Sequence, residues 1–270
     1  MKSGLDDRIG KRFEALRAQK RTALIPFITA GDPLPDGTVA VMHALVEAGA
    51  DAIELGVPFS DPMADGPVIQ HASERALAKH VGIAHILQWV RAFRERDADT
   101  PIVLMGYLNP IEIHGMGPFA REATEAGVDG VLIVDCPIEE DATLQPLRDA
   151  GLQRILLTAP TTSEARLSQA IVAAEGYLYY VSFAGITGAS HLDAGEVERR
   201  VRTLRAQARV PVAVGFGIKD ANGAARIGAF ADAVVIGSAL VSHLAGSASA
   251  DEACSRARAF LSPIRKALAA

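Results

Sequence analysis

Cysteine is scarce: Cys136 and Cys254 are the only two in 270 residues. They stand far apart and belong to no CxxC or Cys/His ligand spacing. That excludes a disulfide framework and gives no reason to expect a metal site, leaving both as small buried hydrophobes. Aromatic residues make up only 5% of the chain, and no Lys/Arg cluster is interleaved with them. With a formal net charge of -5, a nucleic-acid footprint is not expected. Long apolar runs are missing too, since none approaches the ~18 residues of a membrane span. The opening MKSGLDDRIGKRF lacks the apolar core of a secretory signal. These absences set an expectation of a soluble, cytoplasmic protein with neither nucleic acid nor membrane as partner.

What the chain does have is 49% hydrophobic residues against 22% charged, enough for a large buried core. Short runs rich in Val, Ile and Leu recur along its whole length: IPFIT (25–29), AIELGV (52–57), IVLMGY (102–107), GVLIVD (130–135), RILLTA (154–159), LYYVSF (178–183), VAVGFG (212–217) and AVVIGS (233–238). Near-continuous apolar runs of this length read as parallel strands covered on both faces, with crossover helices between them. Eight such units predict an α/β fold, a (β/α)8 TIM barrel. A junction repeat agrees: AGADAIELG (48–56), AGVDGVLIVD (126–135), AGLQRILL (150–157) and AFADAVVIGS (229–238) echo one another. In the first three, a glycine ends a helix before the chain enters the next strand. No composition shift or linker divides the chain, so one domain spanning 1–270 is expected. Two additions to a minimal barrel are predicted. One is an N-terminal helix with Leu5, Ile9, Phe13 and Leu16 on one face, closing the barrel floor. The other is an extended loop at 58–69, after the second strand, with an extra helical turn or two.

The second strand carries a carboxylate. Ile53, Leu55 and Val57 share one parity and suit the helix-facing side, which turns Ala52, Glu54 and Gly56 inward. A buried Glu54 must be protonated, paired, or near a solvated mouth. An internal ion pair would need a cation in another strand, and only Arg154 occurs in these runs. Asp61 and Asp65 follow in a loop where Asp-Pro and Asp-Gly are ordinary turn chemistry. Yet that loop leaves the C-terminal end of a strand, the face where barrel active sites are built. Glu54 with a loop aspartate above it makes a plausible acid/base pair.

Glycines mark the ends of the last three runs: FAGITGAS (183–190), VGFGIKD (214–220) and IGSAL (236–240). Loops after the seventh and eighth strands are the usual phosphate site of barrels. Gly188, Gly217, Gly237 and Ser238 are therefore phosphate-binding candidates, against the alternative of plain turn glycines. Phe27, Leu104, Tyr107, Leu132, Tyr179 and Phe216 lie in or just after strands. They are candidates to line an apolar, aromatic pocket, although core packing explains many of them equally well. A phosphate site, an aromatic pocket and two acids together suit a phosphorylated aromatic substrate.

The segments ELGVPFSDPMADGPVIQ (54–70), PFITAGDP (26–33), GYLYYVSFAGITG (176–188), GFGI (215–218) and GSALV (237–241) resemble the tryptophan synthase alpha subunit family, in order and across residues 10–265. The resemblance implies a lyase that cleaves indole-3-glycerol phosphate to indole and glyceraldehyde 3-phosphate, without a cofactor in this chain. It also implies a pyridoxal-phosphate beta subunit as partner, in an α2β2 heterotetramer, with the 58–69 loop as a contact segment. By the same resemblance Glu54 is the general acid/base and Asp65 bonds the indole N–H. Tyr179 is a tyrosine near the glutamate, Thr187 a lid-loop threonine, and Gly188, Gly217, Gly237 and Ser238 hold phosphate. Phe183, in the approach to that lid, stands where the family varies, and Asp61 is left as a turn or interface residue. Rival readings are another phosphate-binding barrel lyase or isomerase, and a catalytically silent allosteric partner of a beta subunit.

Overall fold

A computed structural model describes residues 7–181, 194–215 and 217–269. In chain order the elements are α1 (Arg8–Ala18), β1 (Ala23–Thr29), α2 (Thr38–Glu47), β2 (Ile53–Gly56), α3 (Pro67–Leu77), α4 (Ile83–Arg94), β3 (Ile102–Gly106), α5 (Leu108–His114), α6 (Met116–Ala126), β4 (Gly130–Ile133), α7 (Gln145–Asp149), β5 (Gln153–Arg154), β6 (Leu156–Thr158), α8 (Glu164–Ala173), β7 (Leu178–Val181), α9 (Ala194–Gln207), β8 (Val212–Gly215), α10 (Ala221–Gly228), β9 (Ala233–Ile236), α11 (Ser238–Leu244) and α12 (Ala250–Ala267). The strands form one sheet in the order β5-β4-β3-β2-β1-β9-β8-β7-β6. Every pairing in it is parallel.

The fifth apolar run differs from its expected single strand. Gln153 and Arg154 pair with β4, whereas Leu156–Thr158 pair with β7. The two halves serve different neighbours, and the Ile155 N–H still donates to the Val131 carbonyl at 2.9 Å. The sheet is therefore a barrel, nearly closed, whose one break falls at Ile155. The excess after β2 is also larger than expected. It amounts to a second whole helix, because Pro67 starts α3 at a first-turn position where its missing N–H costs nothing.

Side chains sort into two layers. Ile53, Leu55 and Val57 join the outer layer between strands and helices, with residues such as Leu45, Ile86 and Phe93. The inner layer holds Ala52, Val103, Leu132, Tyr177, Tyr179, Ala213 and Val235, and Ile9, Phe13 and Leu16 of α1 pack into it. The N-terminal helix thus plugs the barrel, and the Phe13 and Tyr177 rings meet with centroids 6.0 Å apart.

The junction repeat has a physical basis. Gly49, Gly127 and Gly151 take φ of 100°, 93° and 90°, the left-handed turn that ends each helix and sends the chain back to the sheet. The aspartate two residues after each of the first two glycines, and Asp232 in the fourth copy, ties adjacent strands at their entry. Asp51 accepts from the Leu24 N–H, Asp129 from the Ile102 N–H and Asp232 from the Val212 N–H, at 2.9, 2.8 and 2.9 Å. Each also meets arginine: Arg265 for Asp51, Arg8 and Arg94 for Asp129, and Arg205 for Asp232. Burial pushes the Asp129 carboxyl up and the Arg94 guanidinium down, more than their pairing returns. The pair is better at fixing geometry than at adding stability, yet removing one partner strands the other.

Asp129→Ala is therefore expected to cost about 3 kcal/mol and to lower Tm by roughly 6–12 °C in scanning calorimetry. Arg202→Ala breaks a pair whose side chains are 60% and 42% exposed. It should change stability by less than about 1 kcal/mol. Equal losses in the two variants would contradict this account of the junctions.

Candidate active site

Strand parity and register place Glu54. Its Cα partners are Phe27 on β1 and Val103 on β3, and its side chain turns inward to full burial, at 0% exposure. Oε1 accepts the Tyr177 hydroxyl at 2.6 Å, and Oε2 has no hydrogen-bond partner. Among the described residues no cation compensates the carboxylate. The influences on the Glu54 carboxyl are burial and the Tyr177 hydrogen bond, with none from Arg154, so the internal ion pair is not formed. Burial pushes the Glu54 carboxyl up to about 7, opposed by the Tyr177 hydrogen bond. A carboxyl with that value holds or releases a proton readily at neutral pH, as acid/base work requires. Burial beside Glu54 also drives the Tyr177 and Tyr179 hydroxyls well above the ordinary phenol value. Both tyrosines stay protonated, and Tyr177 stays a donor.

Glu54 opens onto a cavity of about 580 Å3, whose described lining includes Phe27, Ile69, Met105, Tyr179, Gly217, Gly237 and Ser238. Gly217 takes φ +43°, a turn that a side chain would strain. Gly237 and Ser238 open α11, where first-turn N–H groups have no intrahelical carbonyl to bond. A narrower cleft shares Phe27, Ile69 and Met105 with the cavity and adds Thr29, Asp65, Ser73 and Tyr107. Glu54 and Asp65 therefore border neighbouring spaces that have those three apolar side chains in common.

Asp65 is held by its loop. Its Oδ2 accepts the Tyr107 hydroxyl at 3.0 Å, that hydroxyl accepts the Ala64 N–H at 3.0 Å, and Gln70 donates to the Asp65 carbonyl at 2.8 Å. Burial raises the Asp65 carboxyl and the Tyr107 bond lowers it. Asp61 is exposed and takes its hydrogen bond from the adjacent Ser60 hydroxyl, a local turn contact. Below the loop, Arg75 of α3 grips the buried Asp32 with two bonds of 2.7 and 2.9 Å. This bidentate clamp fixes α3, and with it Ile69, against the end of β1.

The remaining candidates divide. Tyr179 and Tyr107 line the two spaces described above. Leu104 lies in the outer layer against the helices, and Leu132 lies deep in the inner layer; neither borders the cavity or the cleft. Thr187, Gly188, Phe216 and Phe183 lie outside the described residues. Tyr177, the partner of Glu54, was not singled out from the sequence. Its signal was present, since it shares the parity of Tyr179 in GYLYYV. Ile69 and Met105, shared by both spaces, were missed as well.

Because the folded Glu54 carboxyl sits near 7 and an unfolded one near 4.5, the native state keeps a proton that the unfolded chain loses. Stability attached to Glu54 is present in full below pH 4.5 and is lost as pH rises through about 7. Glu54→Gln, which keeps an acceptor for Tyr177 but no charge, should match wild type at pH 4. At pH 8 it should exceed wild type by about 3 kcal/mol in urea unfolding. A variant no more stable than wild type at pH 8 would refute the uncompensated carboxyl.

A family model described as the tryptophan synthase alpha chain matches residues 13–268. The tryptophan synthase alpha chain of Xylella fastidiosa (strain 9a5c) is 60% identical over 262 residues, 97% of this chain and 98% of that one. The alpha chain of Xanthomonas oryzae pv. oryzae (strain MAFF 311018) is 60% identical over 263 residues, with the same coverage of 97% and 98%. The crystal structure of tryptophan synthase subunit alpha from Legionella pneumophila superposes with a TM-score of 0.90 at 46% identity, covering 97% of this chain and 98% of that one. The family works with a beta subunit that carries the pyridoxal phosphate, and its alpha chain needs no cofactor of its own. With a barrel that superposes on a solved alpha subunit and a match along nearly its whole length, this chain belongs to the tryptophan synthase alpha chain family, the lyases that cleave indole-3-glycerol phosphate in tryptophan biosynthesis.

Proposed function

We propose that Glu54 and Asp65 carry this cleavage, on a single domain spanning the chain. Breaking the bond between indole C3 and the glycerol side chain needs a proton delivered to C3, charge stabilised at the ring N–H, and a proton removed from the glycerol hydroxyl. Glu54 delivers and removes the protons, and Asp65 accepts the indole N–H. The observation that carries this reading is the Glu54 carboxyl. It is fully buried, held through Oε1 by Tyr177, with Oε2 unpartnered among the described residues, and it lines the cavity. Phe27, Tyr107 and Tyr179 are suited to hold the indole ring, with Leu104, Leu132 and Phe216 as the further apolar candidates. Leu104 is the least suited of these, because it faces the helices. Gly217, Gly237 and Ser238, with Gly188, are suited to the phosphate, and Thr187 to a lid.

The partner is a beta subunit in an α2β2 heterotetramer. Met63, 75% exposed, lies two residues before Asp65 on the loop after β2. A subunit covering it would bear directly on the candidate site. Among the described residues no helix is long and apolar enough to cross a membrane, and a cytoplasmic location fits that reading.

Glu54→Gln should lower indole formation by about 10³-fold while Tm stays at or above wild type. Asp65→Asn should reduce kcat by about 10²-fold. With the proton donor starting protonated, kcat/KM of wild type should fall as pH rises above about 7, the value of the Glu54 carboxyl. An indole-release assay, run with and without the beta subunit, measures all three. Full activity in Glu54→Gln, or none in wild type under either condition, would sink the assignment.

A further inference from the structure

We propose that Lys219 supplies the counter-charge for the substrate phosphate and so sets the preference for phosphorylated over unphosphorylated ligands. This rests on the phosphate reading of Gly217, Gly237 and Ser238. Lys219 lines the same cavity as those three residues. Among the described lining residues, Glu54 and Lys219 are the only ones with a charged side chain. Without Lys219 the described part of the cavity would offer a phosphate dipoles but no opposite charge, in a protein of net charge -5.

The chain on either side of Lys219 is pinned. Ile218, 5% exposed, packs into the outer core. Asp220 caps α10 by accepting the Gly223 N–H at 2.7 Å. The Lys219 side chain itself is exposed, and among the described residues it has no ion-pair partner. A lysine fixed at its backbone and open at its tip serves an incoming anion as a mobile point charge. It also makes the cavity asymmetric, with the Lys219 cation at the phosphate end and the protonated Glu54 carboxyl at the other. A phosphate monoester, carrying close to two negative charges above its second pKa of about 6, is drawn to the Lys219 end, where the charge lies. The substrate then enters in one orientation, with its indole toward Glu54.

The test compares Lys219→Gln and Lys219→Arg by calorimetric titration with two probes: indole-3-propanol phosphate, which cannot be cleaved, and indole-3-propanol. Lys219→Gln should weaken the phosphate about tenfold and leave the alcohol unchanged. Lys219→Arg should stay within about threefold of wild type for both probes. In turnover, KM for indole-3-glycerol phosphate should rise about tenfold in Lys219→Gln, with kcat falling less than about twofold. The loss should shrink at high salt, as a partly exposed charge requires. A wild-type preference for the phosphate that Lys219→Gln leaves intact would overturn the role of Lys219 alone, as would equal losses for both probes. A wild type that binds the alcohol as tightly as the phosphate would overturn the phosphate subsite and Lys219 with it.

Discussion

Burial of one carboxyl without a cation is the constraint on which the rest of the site depends. Among the described residues the barrel interior gives Glu54 a single hydroxyl, from Tyr177, and leaves its second oxygen without a partner beside the cavity that Glu54 lines. Had an arginine stood beside it, the carboxylate would have been held ionised and its proton would have been unavailable near neutrality. The nearest thing to a candidate, Arg154, exerts no influence on the Glu54 carboxyl. The barrel thus keeps its charges apart: arginine–aspartate ties sit at the strand entries, and the candidate acid sits in the apolar interior. Stability is given up at Glu54 for a proton that can move.

That arrangement needs an interior from which water is largely displaced below Glu54. The plug formed by Ile9, Phe13 and Leu16 provides it, closing the end where inner-layer alanines such as Ala23, Ala52, Ala213 and Ala233 would leave space. Phe13 packs on Tyr177, and Tyr177 holds Glu54. The N-terminal helix is therefore linked to the candidate acid through one ring contact and one hydrogen bond. A packing defect in α1 would loosen the orientation of Glu54 even though α1 borders neither the cavity nor the cleft.

Much of this was legible in the sequence because barrel strands obey simple parity. The eight runs, the inward turn of Glu54 and the N-terminal plug follow from period-two and helical patterns, and the junction repeat marked where strands begin. What escaped required knowledge of which strand lies beside which. Tyr177 reaches Glu54 across 123 positions of sequence, and no local pattern joins them. The split at Ile155 arises because one segment serves two neighbours. Leu104 is instructive in another way. Its neighbour Val103 is the Cα partner of Glu54, so inward parity belongs to Val103 and Leu104 must face the helices. Carrying the parity of β2 across the register to β3 would have placed it correctly. Asp65 was recognisable as a candidate, but its tie to Tyr107 depends on a loop path that turn chemistry alone does not specify.

The two carboxylates are supported in different ways, and the difference bears on control. Glu54 stands on a strand hydrogen-bonded on both sides, so its position is set by the sheet. Asp65 stands on a loop whose described side-chain ties are the Tyr107 hydroxyl and Gln70. Tyr107 in turn stacks near Phe59 of the same loop, with ring centroids 5.1 Å apart. Displacing that loop by a subunit resting on Met63 would shift Asp65 and Phe59 against Tyr107 while leaving Glu54 where the barrel holds it. Few buried contacts and a short set of hydrogen bonds place the loop at the low-stability end of the molecule, where a modest binding energy moves an equilibrium. In a site built this way the candidate proton carrier stays fixed and the candidate second carboxylate is the adjustable part.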